Sequence, residues 1–278
     1  MDSLTTPQPD KTGALRRHYG TTVPGTGPWN DIIASLLEHR SVRAYKPDPV
    51  PPGTLETMIA AAASAATSSN MQWWSAIAVT DPAVKKELAV IAGNQKHIEK
   101  CPLYIAWVAD MARNQRISEA EKVAFETMPW LETFMVACID VALAAQNAVI
   151  AAESLGLGTV YIGAMRNDSV RVAQLLGLPP QAFVVFGLCV GHADPATKAE
   201  VKPRLPQSAV LYHGRYGAPA EEADRRAYDA ELAAFSAHNE MQTTTWTQRV
   251  LNRLGPIKSM NGRERMRAAL ATLGFEIR

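Results

Sequence analysis

The stretch from Phe134 to Leu155 constrains the fold more than any other. Val136, Ile139, Val141, Leu143, Ala144, Val149 and Ile150 put apolar side chains almost all round one helix. A surface helix keeps a polar face, so this helix belongs in the middle of a core. Gly156 and Gly158 are expected to end it, because glycine accepts the left-handed backbone that closes a helix.

Such a helix needs layers to pack on. PLYIAWVAD (Pro102 to Asp110) and FVVFGLCVGH (Phe183 to His192) are nearly continuous in apolar residues, the pattern of strands buried on both faces. SAIAVT (Ser75 to Thr80) and TVYIG, from Thr159, read as shorter strands. Helices are expected around Ala14 to Tyr19 and from an Asn30 or Asp31 cap to about Glu38. Others should run from a Thr54 cap, from Pro82 to about Ala92, and from Asp168 to Leu176. A charged helix is expected over about Ala220 to Asn239, then a polar loop, then a last helix near Gly262 to Leu273. Residues 112 to 128 read as a loop of mixed charge. The sum is an α+β chain with four or five short strands, many helices and no internal repeat.

The 28 basic and 27 acidic residues leave a net charge of +1. That excludes a broad electrostatic footprint for nucleic acid or a membrane surface. No run of about 18 uncharged apolar residues appears, so no spanning helix is expected. The first thirty residues lack the apolar core of a signal peptide. Cys101, Cys138 and Cys189 are far apart and make no C-x-x-C pair, so neither a disulfide framework nor a zinc site is expected. The six histidines form no close metal pair, and a cytoplasmic protein is expected.

No G-x-S-x-G, G-x-x-x-x-G-K-[ST] or H-E-x-x-H occurs. GLGTVYIG, from Gly156, precedes its strand, which is the wrong order for a dinucleotide fingerprint. What remains is a set of polar islands. HRSVR (His39 to Arg43) concentrates cations in a nearly neutral chain. It reads either as a helix end complementing its dipole or as a seat for a small anion. AATSSNMQWWS (Ala65 to Ser75) sets hydroxyl and amide groups beside two tryptophans, a combination that suits a planar ring or simply ends a helix. GNQKHI carries Gln95 and His97. YIGAMRND offers Gly163, where a ligand can approach backbone. VKPRLP holds Lys202 and Arg204 in an extended segment between prolines.

In this order the islands resemble the flavin-dependent nitroreductase family, and most closely its oxygen-insensitive, NADPH-using nitroreductase and flavin-reductase group. The matching stretches are HRSVRAY, TSSNMQ, AGNQKHI, AQNAVIAAESLGLGTVYIGAMRN, VFGLCVGHAD and KPRLP, over roughly residues 30 to 212. The resemblance implies an α+β sandwich, with a central mixed sheet between helices, assembled as an intertwined homodimer with FMN in its interface. It implies an arm over residues 1–28 and one FMN-dependent domain over 29–278, with a helical extension over 218–278. The arm would dock through Leu15, Tyr19 and Trp29, along a partner subunit, or be disordered.

The resemblance also assigns residues. His39, Arg40, Ser41, Arg43, Lys202 and Arg204 would hold the FMN phosphate, whose charge of about −1.5 to −2 suits charge-assisted bonds. Thr67, Ser69 and Gln72 would lie by the flavin ring or ribityl chain, and Gln95 would also reach FMN. The backbone of Ile162, Gly163 and Ala164 would face the ring. The family usually has a second glycine where Ala164 stands, and a methyl there is expected to narrow the slot. NADPH-specific members carry an arginine for the 2′-phosphate in the tail loop, and the nearest position here is His238.

The implied activity is ping-pong hydride transfer from NADPH or NADH to nitroaromatics, quinones or free flavin. No protein nucleophile is needed, because the cofactor carries the chemistry. A flavin-storage protein with little reductase activity would share every one of these motifs.

Overall fold

The computed structural model describes residues 10–21, 23–217, 221–242 and 245–278. The first nine residues of the expected arm, and the expected helix start at Ala220, lie outside the described residues. In chain order the elements begin with α1 (Lys11–Tyr19), α2 (Asp31–Leu37), α3 (Thr54–Ala63), β1 (Trp74–Val79), α4 (Pro82–Ile91) and α5 (Lys96–Lys100). Next come β2 (Leu103–Asp110), α6 (Ala112–Glu121), α7 (Leu131–Ser154), β3 (Gly158–Ile162), α8 (Ser169–Leu176) and β4 (Ala182–Gly191). The chain closes with α9 (Glu221–His238), α10 (Trp246–Leu254) and α11 (Met266–Thr272).

These elements form two compact units, one of residues 1–40 with 198–259, the other of 41–197 with 260–278. The second unit holds the sheet, in strand order β1-β2-β4-β3. All three strand pairs are antiparallel. Among the described residues, the mixed character expected of the sheet is confined to one parallel bridge, Ser41 to Thr159. All eight residues of β2 are buried, as its unbroken apolar run requires. Tyr104 is fully buried with its ring end against Gly187 of β4, where a Cβ would come within 1.8 Å of the hydroxyl. Glycine at 187 is therefore what lets a tyrosine fit in the sheet.

α7 lies in this unit's core, but only one face of it is buried. Ala137, Val141, Ala144, Ala145, Ala148, Val149 and Ala152 point inward and join Met58 and Ala62 of α3 in the main cluster. Small residues at that spacing let helix and sheet backbones approach closely. Leu131, Met135, Ile139 and Leu143, four residues apart, are 43–54% exposed. α7 has the length and composition of a membrane span, but its inner face is packed on protein. Gly156 closes it with φ +78°. Gly158 instead opens β3, where a Cβ would meet Val42 at 2.6 Å.

Three other local expectations are corrected. Residues 112–121 form α6 rather than loop. The polar tail loop contains α10, capped by Thr245, whose side chain accepts from Gln248 N at 3.1 Å. Thr54 is the first helical residue of α3, after Gly53 at φ +81°, and does not cap it.

In the other unit, Asp10 caps α1 by accepting from Gly13 N at 2.9 Å. Ala14, Leu15 and His18 are buried there. Thr21 N donates to Glu231 of α9 at 3.3 Å. The described part of the arm thus contains α1, and the residue after its end is tied to α9 of the same unit.

Candidate cofactor site

In the unit of residues 1–40 and 198–259, the cationic residues His39, Arg40, Lys202 and Arg204 come from two segments. The first follows α2, and the second is the Pro-flanked stretch after Val201. His18 ties both down. Its Nε2 lies 2.8 Å from the Leu37 carbonyl, and its own carbonyl accepts Arg204 N at 2.7 Å. Burial, then the charges of Arg204 and Arg17, holds the His18 imidazole below its ordinary pKa, so it serves as a neutral donor. Tyr228 of α9 adds a hydroxyl bond to the Pro203 carbonyl at 3.0 Å. The Arg204 guanidinium bonds the carbonyls of Lys202 and Pro203, at 2.9 and 3.3 Å, and that of Arg40 bonds the Glu38 carbonyl at 3.2 Å. Neither is neutralised by a carboxylate among the described residues.

In the other unit, Ser41 and Arg43 sit on an extended segment bolted to the sheet. Val42 N donates to Thr159 O at 2.9 Å, and the Tyr45 hydroxyl to Val42 O at 2.7 Å. Val42 and Tyr45 are buried, while Arg43 is exposed. Apolar neighbours thus anchor the backbone that displays the guanidinium.

Thr67, Ser69 and Gln72 share one loop, and a residue absent from the sequence-level assignments shapes it. Asp140, 2% exposed on α7, accepts the Thr67 hydroxyl, Ser68 N at 3.1 Å and Trp73 N at 3.3 Å. The Thr67 oxygen in turn accepts Gln72 N at 3.0 Å. Thr67 therefore holds the loop, while Ser69 and Gln72 are exposed on it. Ser69, Asn70 and Gln72 have φ of 49°, 56° and 52°, strained values for non-glycine residues that the anchoring sustains. Arg113 Nη1 also donates to the Gln72 carbonyl at 3.0 Å.

Gln95 precedes α5 and turns its amide back to the Ala92 carbonyl at 2.9 Å. Two residues on, His97 Nε2 is buried with no hydrogen-bond partner among the described residues. Burial, then the nearby Arg43 charge, lowers its pKa. Ile162 ends β3, and Gly163 opens a 3₁₀ turn to Asp168. A Cβ on Gly163 would lie 3.2 Å from Arg166 Nη2, and Arg166 itself bonds the Val185 carbonyl. Ala164 is 7% exposed.

This donor set fits FMN. Guanidinium and ammonium groups suit the phosphate, a preset loop of hydroxyl and amide groups suits the ribityl chain or ring, and the orphaned His97 nitrogen awaits a polar partner. All three cysteines are free.

The nitroreductase family model matches residues 36–192, and the model of the family's C-terminal domain matches 202–278. An FMN reductase (NADPH) of Bacillus subtilis is 38% identical over 229 residues, 80% of this chain and 91% of that protein. An NADPH-flavin oxidoreductase of Vibrio harveyi is 36% identical over 227 residues, 81% of this chain and 91% of the other. The solved structure of B. megaterium NfrA2 superposes with a TM-score of 0.83 at 35% identity, covering 90% of this chain and all of that one.

Proposed function

The chain belongs to the nitroreductase family, and from that premise we propose that it binds FMN and oxidises NADPH or NADH, passing two electrons to a small acceptor. Nitroaromatics, quinones and flavins are the acceptor class. When bound, FMN supplies the two-electron chemistry, taking hydride from the nicotinamide and handing the pair on. The single observation that carries the reading is how the cations are held. Arg40 and Arg204 are positioned by main-chain carbonyls, and Arg43 by a bolted backbone, without carboxylate partners among the described residues. Charge held this way is available to an anion.

His39, Arg40, Ser41, Arg43, Lys202 and Arg204 bind the phosphate. Ser69, Gln72 and Gln95 orient the ribityl chain and ring, with Thr67 fixing the loop beneath them. The backbone at Ile162, Gly163 and Ala164 faces the ring, where N–H donors favour the extra negative charge that reduction brings. No side chain is required as nucleophile.

We also propose a homodimer. The exposed Leu131, Met135, Ile139 and Leu143 stripe on α7 is the kind of apolar face that a second copy covers.

The test is an absorption spectrum of the purified protein before and after anaerobic addition of NADPH or NADH. A flavin spectrum that bleaches promptly, with FMN released on denaturation, is the expected result. A colourless protein that takes up no added FMN overturns the reading, and bound flavin that neither dinucleotide bleaches makes it a flavin-storage protein.

A further inference from the structure

An open groove of about 550 Å³ lies wholly within the unit of residues 1–40 and 198–259. Arg17, Glu38, Arg40 and Glu200 give its polar lining, and the half-buried ring of Phe235 its flat apolar part. The charges in it are already sorted. Arg17 pairs with the Glu38 carboxylate, whereas Arg40 donates to the Glu38 main-chain carbonyl at 3.2 Å. Glu200 is oriented by two groups at the end of α9, one on each oxygen. His238 Nε2 lies 3.2 Å from Oε1, and Asn239 Nδ2 donates to Oε2 at 3.0 Å. A carboxylate has about four lone-pair sites, so Glu200 keeps acceptor capacity toward the groove it lines.

An aromatic ring beside an oriented carboxylate matches an adenosine, with a base to stack and ribose hydroxyls to donate. The base stacks on Phe235 and the ribose hydroxyls donate to Glu200, while Arg40 stays with the FMN phosphate. NADH and NADPH differ only at the adenosine ribose. A 2′-hydroxyl donates to a carboxylate, and an acidic residue on that hydroxyl is a general way to choose the unphosphorylated dinucleotide. A 2′-phosphate instead brings about −1.5 to −2 charges against an ionised group. His238, the residue the family likeness sets nearest the phosphate-binding arginine of NADPH-specific members, is itself turned to Glu200.

We propose that this groove receives the adenosine end of the reducing dinucleotide, and that Glu200 makes the enzyme favour NADH over NADPH. The inference rests on the reading of the chain as an NAD(P)H-oxidising flavoenzyme. Arg17, held by Glu38, does not compensate for the acid.

The experiment measures kcat/KM for NADH and NADPH with the FMN-loaded parent, Glu200→Gln and Glu200→Arg. Calorimetric binding of 5′-ADP and of adenosine 2′,5′-bisphosphate is measured beside it. The parent should prefer NADH and 5′-ADP. Glu200→Gln should raise the NADPH-to-NADH ratio roughly tenfold, the size of a carboxylate–phosphate repulsion across about 5 Å of solvent-like medium. Glu200→Arg should move it further and reverse the order of the two adenosine ligands. FMN content and circular dichroism check that each variant is folded. A parent that prefers NADPH, with a ratio that Glu200→Gln shifts less than about twofold, overturns the proposal. If the protein binds FMN but oxidises neither dinucleotide, the functional reading fails, and the adenosine pair still decides the groove. Weak binding of both, unchanged in Glu200→Arg, refutes the groove as well.

Discussion

Asp140→Ala removes the carboxylate that ties the loop from Thr67 to Trp73 to α7. The carboxylate is 2% exposed and accepts three donors, each in a different setting. Trp73 is 6% exposed, so its N–H is stranded without a partner, at a cost of about 1–3 kcal/mol. The Thr67 hydroxyl is partly buried and can rotate, so it loses about 0.5–1.5 kcal/mol. Ser68 is exposed, and water replaces the carboxylate at its N–H for little cost. Release of the carboxylate's own desolvation penalty, and of the strained Ser69, Asn70 and Gln72 conformations, returns part of the loss. The net expectation is a destabilisation of about 1–4 kcal/mol, with weaker FMN retention because Ser69 and Gln72 ride on the loop. Asp140→Asn keeps the shape and one acceptor oxygen, and should cost about half as much. Urea unfolding followed by circular dichroism, at fixed protein and FMN concentrations, reads both variants. A loss below about 1 kcal/mol in Asp140→Ala refutes the reasoning, because that is the least a stranded Trp73 amide costs.

Arg43→Ala and Arg204→Ala should each weaken FMN binding roughly 10- to 100-fold, the range of one charge-assisted bond, while leaving the chain folded. Equilibrium dialysis against FMN checks this, and parent-like affinity in both variants removes the phosphate assignment. His18 and His97 both have pKa values lowered mainly by burial, so the folded state keeps them neutral while the unfolded chain takes up protons below about 6.5. Stability should therefore be complete at neutral pH and fall as pH drops below about 6.5, by up to about 1.4 kcal/mol per pH unit for each histidine. His18→Gln should flatten that slope between pH 7 and 5 in denaturation curves, and an unaltered slope refutes the assignment. Ile139→Glu puts a charge in the middle of the exposed α7 stripe and should convert dimer to monomer in light scattering. A variant that stays dimeric shows that another surface makes the interface.

The elements legible in the sequence are those whose hydrophobic pattern is also their packing. β2 and β4 read as buried runs; β2 is wholly buried and β4 is buried except at Val185 and Phe186, and Asn30 caps α2 as its side-chain type suggests, accepting Ile33 N at 2.9 Å. α6 was hidden because its buried residues are Ala112, Asn114 and Ser118, which make no apolar stripe, while Ile117 is half exposed. Hydrogen bonds hold it instead, among them Arg113 N to Asp110 at 3.2 Å and Ser118 Oγ to the Val123 carbonyl at 2.6 Å. α10 was hidden for the opposite reason. It buries no residue fully, and its attachment runs through Asp229, which accepts Thr247 N at 2.8 Å. The signal that could have found it is Thr245 with Gln248 three residues later, the spacing of a capping box.

The candidate site divides in the same way. Arginine, lysine and histidine crowded at His39–Arg43 and Lys202–Arg204 announce an anion in a nearly neutral chain. What aims them is less visible, since a histidine in an irregular arm gives no sign that it will tie Leu37 to Arg204. Asp140 is different, because its signal was present. It is the only charged residue between Glu132 and Glu153 in a helix read as apolar all round. A carboxylate in such a place must find donors or destabilise the core. The donors it finds are the Thr67 hydroxyl and the main-chain N–H groups of Ser68 and Trp73, so the longest helix of the sheet-bearing unit also fixes the loop that carries Ser69 and Gln72. α7 thus imposes two constraints from one sequence. Its alanine face sets how closely the sheet packs, and its one interior acid sets the shape of a loop assigned to the cofactor. Substitutions on the alanine face should therefore disturb that loop through the position of Asp140, even where they touch no candidate binding residue.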